Sequence, residues 1–450
     1  MNYEALFAAH AGKVVRVGLV GVGDFGATLL AQSRAMPNME IAVACDRDVP
    51  RMENAVAGAG LSADDLFMTD DITGADVPGF DVLVEATGHP EAAAGIAAWA
   101  IGKGRHVVMA SKETAVVVGP VLHRMARDAG VVYTEVEGDQ PSLLIGLVSW
   151  ARTLGLEVRM AGKASEYDFV LEPDDVLNWC GEQKTGAGLA ALWERRGESW
   201  QELTGRRRAR LHAAGFPDHV VSDLCEMGVV ANATGLMPDR ADFHAPLLRA
   251  VEVADAFQPA ADGGLLTGEG RIDVFNCFRR HDEQSFAGGV FVVVGCEDSA
   301  TWDLLAQKGH VVAGNRKAAM LSVPQHLLGV EAPVSILAAG LLGLPTGAHD
   351  PQPRVDLVAR TGRDFKKGET LAITNIHKHE VKGLEPELIP AATLSGDGPV
   401  PYYLATGRTL ARDVGAGELL SESMFEPAPE TALQRLRRKQ DALFGSGAAG

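Results

Sequence analysis

Three kinds of residue in this 450-residue chain have types and spacings suited to chemistry: a triplet of glycines, two strand-end lysines and a set of carboxylates. Gly21-Val22-Gly23-Asp24-Phe25-Gly26 is a full G-x-G-x-x-G. It follows an apolar run and opens a helical one, the context that makes such a string a dinucleotide cradle. Gly21 allows the tight turn, Gly23 lets backbone approach a pyrophosphate, and Gly26 lets the helix pack on the strand. The helix start, with Asp24 and Phe25, offers free N–H groups and the positive end of its dipole to phosphate. Asp46 lies 20 residues past Gly26, where a carboxylate accepts from the adenosine ribose hydroxyls and repels a 2′-phosphate. Arg47 beside it softens that preference, so NAD is expected in preference to NADP. Thr87 and Gly88, in EATGHP, end a strand that would bring backbone to the cofactor. A plain strand-to-helix turn with Pro90 at the helix start explains the phrase equally well.

Lys112, in ASKET, sits at the carboxyl end of a strand, where it could polarise a carbonyl or hydroxyl or hold an anionic substrate group. The plain alternative is a loop lysine in water. Lys163, in MAGKAS, offers the same chemistry at a later strand end, against the same alternative. Glu137, Gly138, Asp139 and Gln140 close another strand. Glu137 and Asp139 could hold a substrate hydroxyl or a water, or Asp139 could cap the helix that Pro141 opens. Glu226, Asn232 and Thr234 are polar groups in an apolar helix, and a buried Glu or Asn needs a protein or ligand partner. For Thr234 a structural hydrogen bond is preferred. His244 and His326 are candidate acids or ligands. With no H-x-x-H, H-E-x-x-H or Cys/His grouping, no metal site is expected. The run Arg206-Arg207-Arg208 reads as a solvated face.

The elements that must position these residues follow from periodicity. Residues 1–12 read as a short helical lead-in. Apolar runs over 14–20, 39–45, 81–86, 105–110 and 131–136 read as strands, and helical stretches run from the glycines to about Met36, around 90–103 and over 117–129. That alternation predicts a parallel, doubly wound sheet, an α/β fold of Rossmann type over residues 1–137. A mixed α+β catalytic and oligomerisation domain is expected over 138–345. It would have a helix at 141–155, a strand at 156–162, a charged helical stretch at 171–212, an apolar helix at 219–232 and strands at 290–295 and 333–338. TGAHDPQPR, at 346–354, reads as a linker. Short strands split by glycine turns follow over 352–430, then a charged helix and tail over 431–450.

The net charge of −18 repels phosphate backbones and anionic lipid, so neither nucleic acid nor membrane is an expected partner. An anionic substrate would need its own local lysine or arginine. Cys45, Cys180, Cys225, Cys277 and Cys296 are scattered, with no C-x-x-C pair, which fits a reducing, cytoplasmic setting. The amino terminus does not read as a signal peptide, and the longest apolar run, residues 336–344, is too short to span a bilayer.

GVGDFG, the EATG strand and Lys112 resemble homoserine dehydrogenases. The order GDQPS, AGK, EMGVVANATGLMPD, FHAP, GGVFVVV and the C-terminal glycine-turn strands is similar to homoserine-dehydrogenase-like oxidoreductases with a C-terminal SAF domain. That group includes a reductoisomerase-like enzyme that converts 1-deoxy-D-xylulose 5-phosphate to 2-C-methyl-D-erythritol 4-phosphate with NADPH. The resemblance spans roughly residues 1–430 and implies an SAF-like lobe that covers the active site or joins subunits, and a homo-oligomer. Asp46 departs from an NADPH user, and Lys112 departs from that reductoisomerase-like pattern. The reading is hydride transfer between NAD(P) and a small polar hydroxy or oxo compound, with Lys112 and Lys163 polarising its oxygen and Glu137, Asp139 or Glu226 assisting. An NAD preference suits oxidation. The alternatives are a reductoisomerase dependent on a divalent metal, and an NAD-binding regulatory or scaffold protein.

Overall fold

Short β-branched runs, apolar on both faces, can be satisfied only inside a layered sheet. The computed structural model describes residues 2–186, 188–216, 220–295, 298–375 and 378–445; Cys296 lies outside them. After helix α1 (Tyr3–Ala8) come strands β1 (Val15–Val20), β2 (Met39–Cys45), β3 (Phe67–Thr69), β4 (Val82–Glu85), β5 (His106–Met109) and β6 (Tyr133–Glu135). They form one parallel sheet in the order β3-β2-β1-β4-β5-β6. The order reverses between β1 and β4, so a crevice opens outside their carboxyl ends. Helices α2 (Asp24–Ser33), α3 (Val49–Gly58), α4 (Pro90–Gly102) and α5 (Lys112–Asp128) connect the strands.

Helix α6 (Gln140–Thr153) leads into a mixed sheet. Its strands are β7 (Glu157–Ala164), β8 (Phe169–Glu172), β9 (Val176–Trp179), β10 (Glu182–Thr185), the short β11 (Met237–Pro238) and β12 (Leu247–Leu248), β13 (Arg271–Arg280), β14 (Val290–Gly295) and β15 (Ala318–Val323). The order is β10-β9-β8-β13-β7-β14-β15, with β11 and β12 on β13. Helix α7 (Trp200–Ala213) precedes α8 (Val221–Thr234), every residue of which from Val221 to Asn232 is buried. A helix buried all round must find partners for its own polar groups. α8 packs against both α5 and α6 and touches β13 of the mixed sheet.

The C-terminal region is built on an antiparallel pair, β16 (Val355–Thr361) and β17 (Leu384–Pro390). It closes with α13 (Ala432–Phe444), which returns to pack on α4 and α5. Glu91 at the start of α4 accepts from the Ala432 and Leu433 N–H groups. Gln440 sets its amide into the backbone of α5 beside Pro120, donating to the Val117 carbonyl and accepting from the Val121 N–H. Among the described residues no helix is long and apolar enough to cross a membrane.

Four expectations change. Residues 171–212 are helical only from Trp200; before that the chain folds into β8, β9 and β10. Asp174 and Asp175, at φ 62° and 60°, make the reversal between β8 and β9, so the charges there mark turns and a sheet edge. Residues 333–337 are helix rather than strand, with Pro333 in the first turn; a five-residue apolar run has no period to distinguish the two. Arg207 is not on a solvated face. It is fully buried, with its guanidinium forked onto Glu252 at 2.6 and 3.1 Å and bonded to the Leu192 and Leu247 carbonyls, both at 2.9 Å. Residues 346–354 lack regular structure but are fastened. Thr134 Oγ1 accepts from the Thr346 and Gly347 N–H groups, and Glu135 accepts from that of Ala348. Asn232 Oδ1 accepts from the Arg354 and Val355 N–H groups, so this polar residue of α8 serves the strap, and Thr234 bonds back to the Val230 carbonyl.

The buried Arg437 forks onto Asp356 of β16 at 2.5 and 2.8 Å, joining α13 to the C-terminal pair. Arg437→Met would strand a buried carboxylate and should cost about 3–5 kcal/mol. The double variant with Asp356→Leu should recover most of that loss in denaturant unfolding; equal stabilities for single and double variants would refute a net role for the pair.

Candidate active site

The crevice between β1 and β4 has the shape a dinucleotide needs. Gly21 has φ +90°, and a Cβ on it would lie 2.3 Å from the Ala86 carbonyl oxygen of the neighbouring strand end. A Cβ on Gly26 would lie 2.2 Å from the Gly21 oxygen. Gly23 caps α2, and the Ala27 N–H bonds its carbonyl at 2.8 Å, so the first-turn N–H groups of Asp24 and Phe25 point out of the helix start. Asp24 is exposed and the Phe25 ring is half-buried, so what they bring to the cradle is backbone. Asp46 accepts from the Val22 N–H at 2.7 Å and from the Asp48 N–H at 3.0 Å, which fixes its carboxylate over the glycine turn. The cavity here, about 300 Å³, is lined by Gly21, Gly23, Asp46, Arg47, Arg51 and Thr87 among others. Arg51 was not foreseen: its guanidinium lies 2.6 Å from where a Gly23 Cβ would be. These residues fit a dinucleotide, with backbone and helix start for the pyrophosphate and Asp46 for the ribose.

Thr87 spends its hydroxyl on Glu85, at 2.6 Å, and so offers the cavity backbone. Glu85 is fully buried, and burial pushes its carboxyl up to about 6 against the pull of Ser111 and Thr87. Gly88 donates its N–H to Ser111 Oγ at 2.9 Å, which links this turn to the residue capping α5.

Lys112 is the first residue of α5, directly beyond β5. Its ammonium bonds Glu226 Oε1 and lies 3.8 Å from Asp139 Oδ1. Lys163, near the end of β7, bonds Glu226 Oε2, Asp223 Oδ1 at 2.8 Å and Gln140 Oε1 at 2.6 Å. Asp223 also accepts from Ser165 at 2.9 Å. Asp223 and Glu226 are three apart on α8 and share a face, so one helix presents both carboxylates to Lys163 and Glu226 to Lys112 as well. Burial alone would lower the Lys112 and Lys163 ammonium groups. Asp139 and Glu226 hold Lys112 well above the usual lysine range, and Asp223 and Glu226 raise Lys163. Burial would raise Glu226, but the two lysines hold it below the usual carboxylate range. All three groups are therefore charged at neutral pH.

The structure separates the expected roles. Lys163 is 2% exposed with three acceptors for its three N–H bonds, which makes it the fixed post of the cluster. Lys112 keeps 24% of its side chain exposed and has one carboxylate in bonding reach, so it is the lysine that can meet a substrate. Asp139 caps α6, the structural role expected of it, and its carboxylate also faces Lys112. Glu137 is not in the cluster: its carboxylate takes the Ser142 hydroxyl at 2.7 Å, and burial raises it. His326 joins indirectly, through Gln140 at 3.3 Å and the Gly138 carbonyl at 3.1 Å. His244 is elsewhere, on Asp239 at 2.8 Å. Asp223 and Glu113 were missed. The D-x-x-E spacing of 223–226 was the available signal for the first, and for the second only its place beside Lys112.

Fold and site together set a Rossmann-type dinucleotide cradle beside a buried lysine–carboxylate cluster. Residues 18–135 match the family described as homoserine dehydrogenase, NAD binding domain, and residues 200–332 match the one described as oxidoreductase DRL, catalytic domain. No curated protein matches the chain. Among solved structures, a dehydrogenase from Bordetella pertussis in complex with NADH and UDP-GlcNAcA is 22% identical over 35% of this chain and 47% of its own, with a TM-score of 0.27. An oxidoreductase from Agrobacterium radiobacter, in complex with NAD+, L-tartaric acid and magnesium, is 17% identical over 36% and 49%, with a TM-score of 0.29. The chain thus spans about half the length of these structures.

Asp46→Ser should raise the affinity for NADPH relative to NADH in a fluorescence titration. An unchanged ratio would remove Asp46 from cofactor discrimination.

Proposed function

We propose that this chain transfers hydride between a nicotinamide and a small polar hydroxy or oxo compound bound against Lys112, with NAD preferred. The observation that carries the reading is the Glu226 carboxylate shared by Lys112 and Lys163 at the carboxyl end of β5. Bound NAD(P) supplies a carbon that gives or takes hydride. Lys112, held protonated and partly exposed, donates to the substrate oxygen and stabilises the charge that develops there; a preorganised donor of this kind usually does most to stabilise a forming alkoxide. Lys163 and Glu226 hold that ammonium in place. The free thiols of Cys45, Cys180, Cys225 and Cys277 suit the reducing cytoplasm in which we place the protein.

The reductoisomerase alternative asks for carboxylates able to hold a divalent cation. Glu226 gives one oxygen to each lysine, and Asp223 gives its two to Lys163 and Ser165. A cation would have to displace an ammonium, so the donor set does not fit one. Among the described residues no group of three His, Cys, Asp or Glu side chains converges as a metal site.

The test is a screen of sugar acids, amino-acid precursors and sugar phosphates for change in NADH absorbance, followed by Lys112→Met. That variant should keep NADH binding and lose roughly 10²–10³-fold in kcat on the responding compound. Lys163→Met should unfold at lower denaturant, since it strands two buried carboxylates. Full turnover by Lys112→Met would end the assignment.

A further inference from the structure

The open end of Lys112 shares its surroundings with one acceptor. Asp139, at the start of α6, holds its Oδ1 3.8 Å from the ammonium, and the two side chains are 24% and 18% exposed. That separation is too long for a hydrogen bond. Lys112 gives one N–H to Glu226 and keeps two to spend. Asp139 Oδ1 takes the Gln140 N–H at 2.9 Å, and its Oδ2 bonds no described residue. Both side chains line a cavity of about 10 Å³, walled also by Ala110, Val136, Ser142 and Val229. It holds about one oxygen atom with its hydrogen. The Ser142 hydroxyl is already spent on Glu137, at 2.7 Å.

Charge decides what enters. Lys112 and Lys163 bring two positive charges, and the carboxylates in ionic contact with them, Asp139, Asp223 and Glu226, bring three negative ones. Glu113, next to Lys112, faces His379 Nε2 at 3.2 Å and adds no positive charge. A carboxylate or phosphate at the cavity would meet Asp139 with little water between, and it is too large for the space. An ammonium would meet Lys112. A hydroxyl meets neither obstacle, since it accepts from the lysine and donates to Asp139 Oδ2.

We propose that the substrate is an uncharged polyhydroxy compound with oxygens on adjacent carbons, and that Asp139 selects it. The reacting oxygen accepts from one free N–H of Lys112. The hydroxyl on the neighbouring carbon enters the small cavity, accepts from the other N–H and donates to Asp139 Oδ2. The inference rests on Lys112 being the residue that meets substrate, and it names the class of compound that the lysine takes. A diol closes the gap between ammonium and carboxylate with two hydrogen bonds, and it brings no charge to a cluster that already carries one negative in excess. Asp139 thus sets specificity by what it repels as much as by what it holds.

The experiment is saturation-transfer NMR on the full-length protein, with and without NADH, which reads weak binding and needs no turnover. The ligands are glycerol, erythritol and xylitol, each beside its matching aldonate and terminal phosphate. The polyols should bind, and the acids and phosphates should bind roughly tenfold or more weakly, the order that one like-charge contact near a protein surface gives. Asp139→Asn keeps a good cap on α6 and should move the ratio towards the acids by a similar factor. Lys112→Met should lose the polyol signal. Acids or phosphates binding as well as the polyols, no polyol binding at all, a ratio unmoved in Asp139→Asn, or a polyol signal intact in Lys112→Met would each overturn the proposal. The two readings fail separately. A protein that bound polyols in this order yet left NADH unchanged with all of them would refute hydride transfer alone, whereas turnover of a sugar phosphate would keep hydride transfer and end the diol assignment.

Discussion

One buried carboxylate holds the lysine cluster together. Glu226 gives an oxygen to Lys112 from the parallel sheet and an oxygen to Lys163 from the mixed sheet. Leaving any member of such a group unpaired is costly, because burial removes the water that would otherwise solvate the charge. α8 is buried along nearly its whole length and delivers Glu226 and Asp223 to this point from between α5 and α6. The relative placement of the cofactor crevice and the lysine pair is thus set by charge balance as much as by apolar packing.

The parallel sheet was legible because its strands are continuous apolar runs separated by turn signals, and Gly21, Gly23 and Gly26 name the cradle by a steric requirement that few sequences meet by chance. Lys112 and Lys163 were legible as strand-end cations, but their division of labour was not. Which lysine is enclosed depends on Gln140, Asp223 and Glu226 arriving from two helices, and periodicity carries no information about that. Arg207 shows the same limit in reverse: three consecutive arginines look solvated until a distant Glu252 meets the middle one. Residues 333–337 and 171–185 were misread because short apolar or charged stretches have too few residues to reveal a period.

The C-terminal region is fastened to the rest by particular bonds: Asn232 to the strap, Gln440 to the backbone of α5, Glu91 to the start of α13, and His379 to Glu113. Those to Asn232 and Glu113 reach α8 and α5, the helices that carry Glu226 and Lys112. A region that the sequence alone allows to be an appendage therefore touches the site's own supports.

Gln440 gives that closure a temporal meaning. Its amide occupies backbone positions of α5 at Val117 and Val121, partners 323 and 319 residues earlier in the chain. During synthesis, the amino-terminal sheet emerges long before α13 exists. The helix that begins with Lys112 has its middle turn completed only once Gln440 has been made. A nascent chain that has not reached Gln440 would carry the nucleotide cradle without a finished lysine helix.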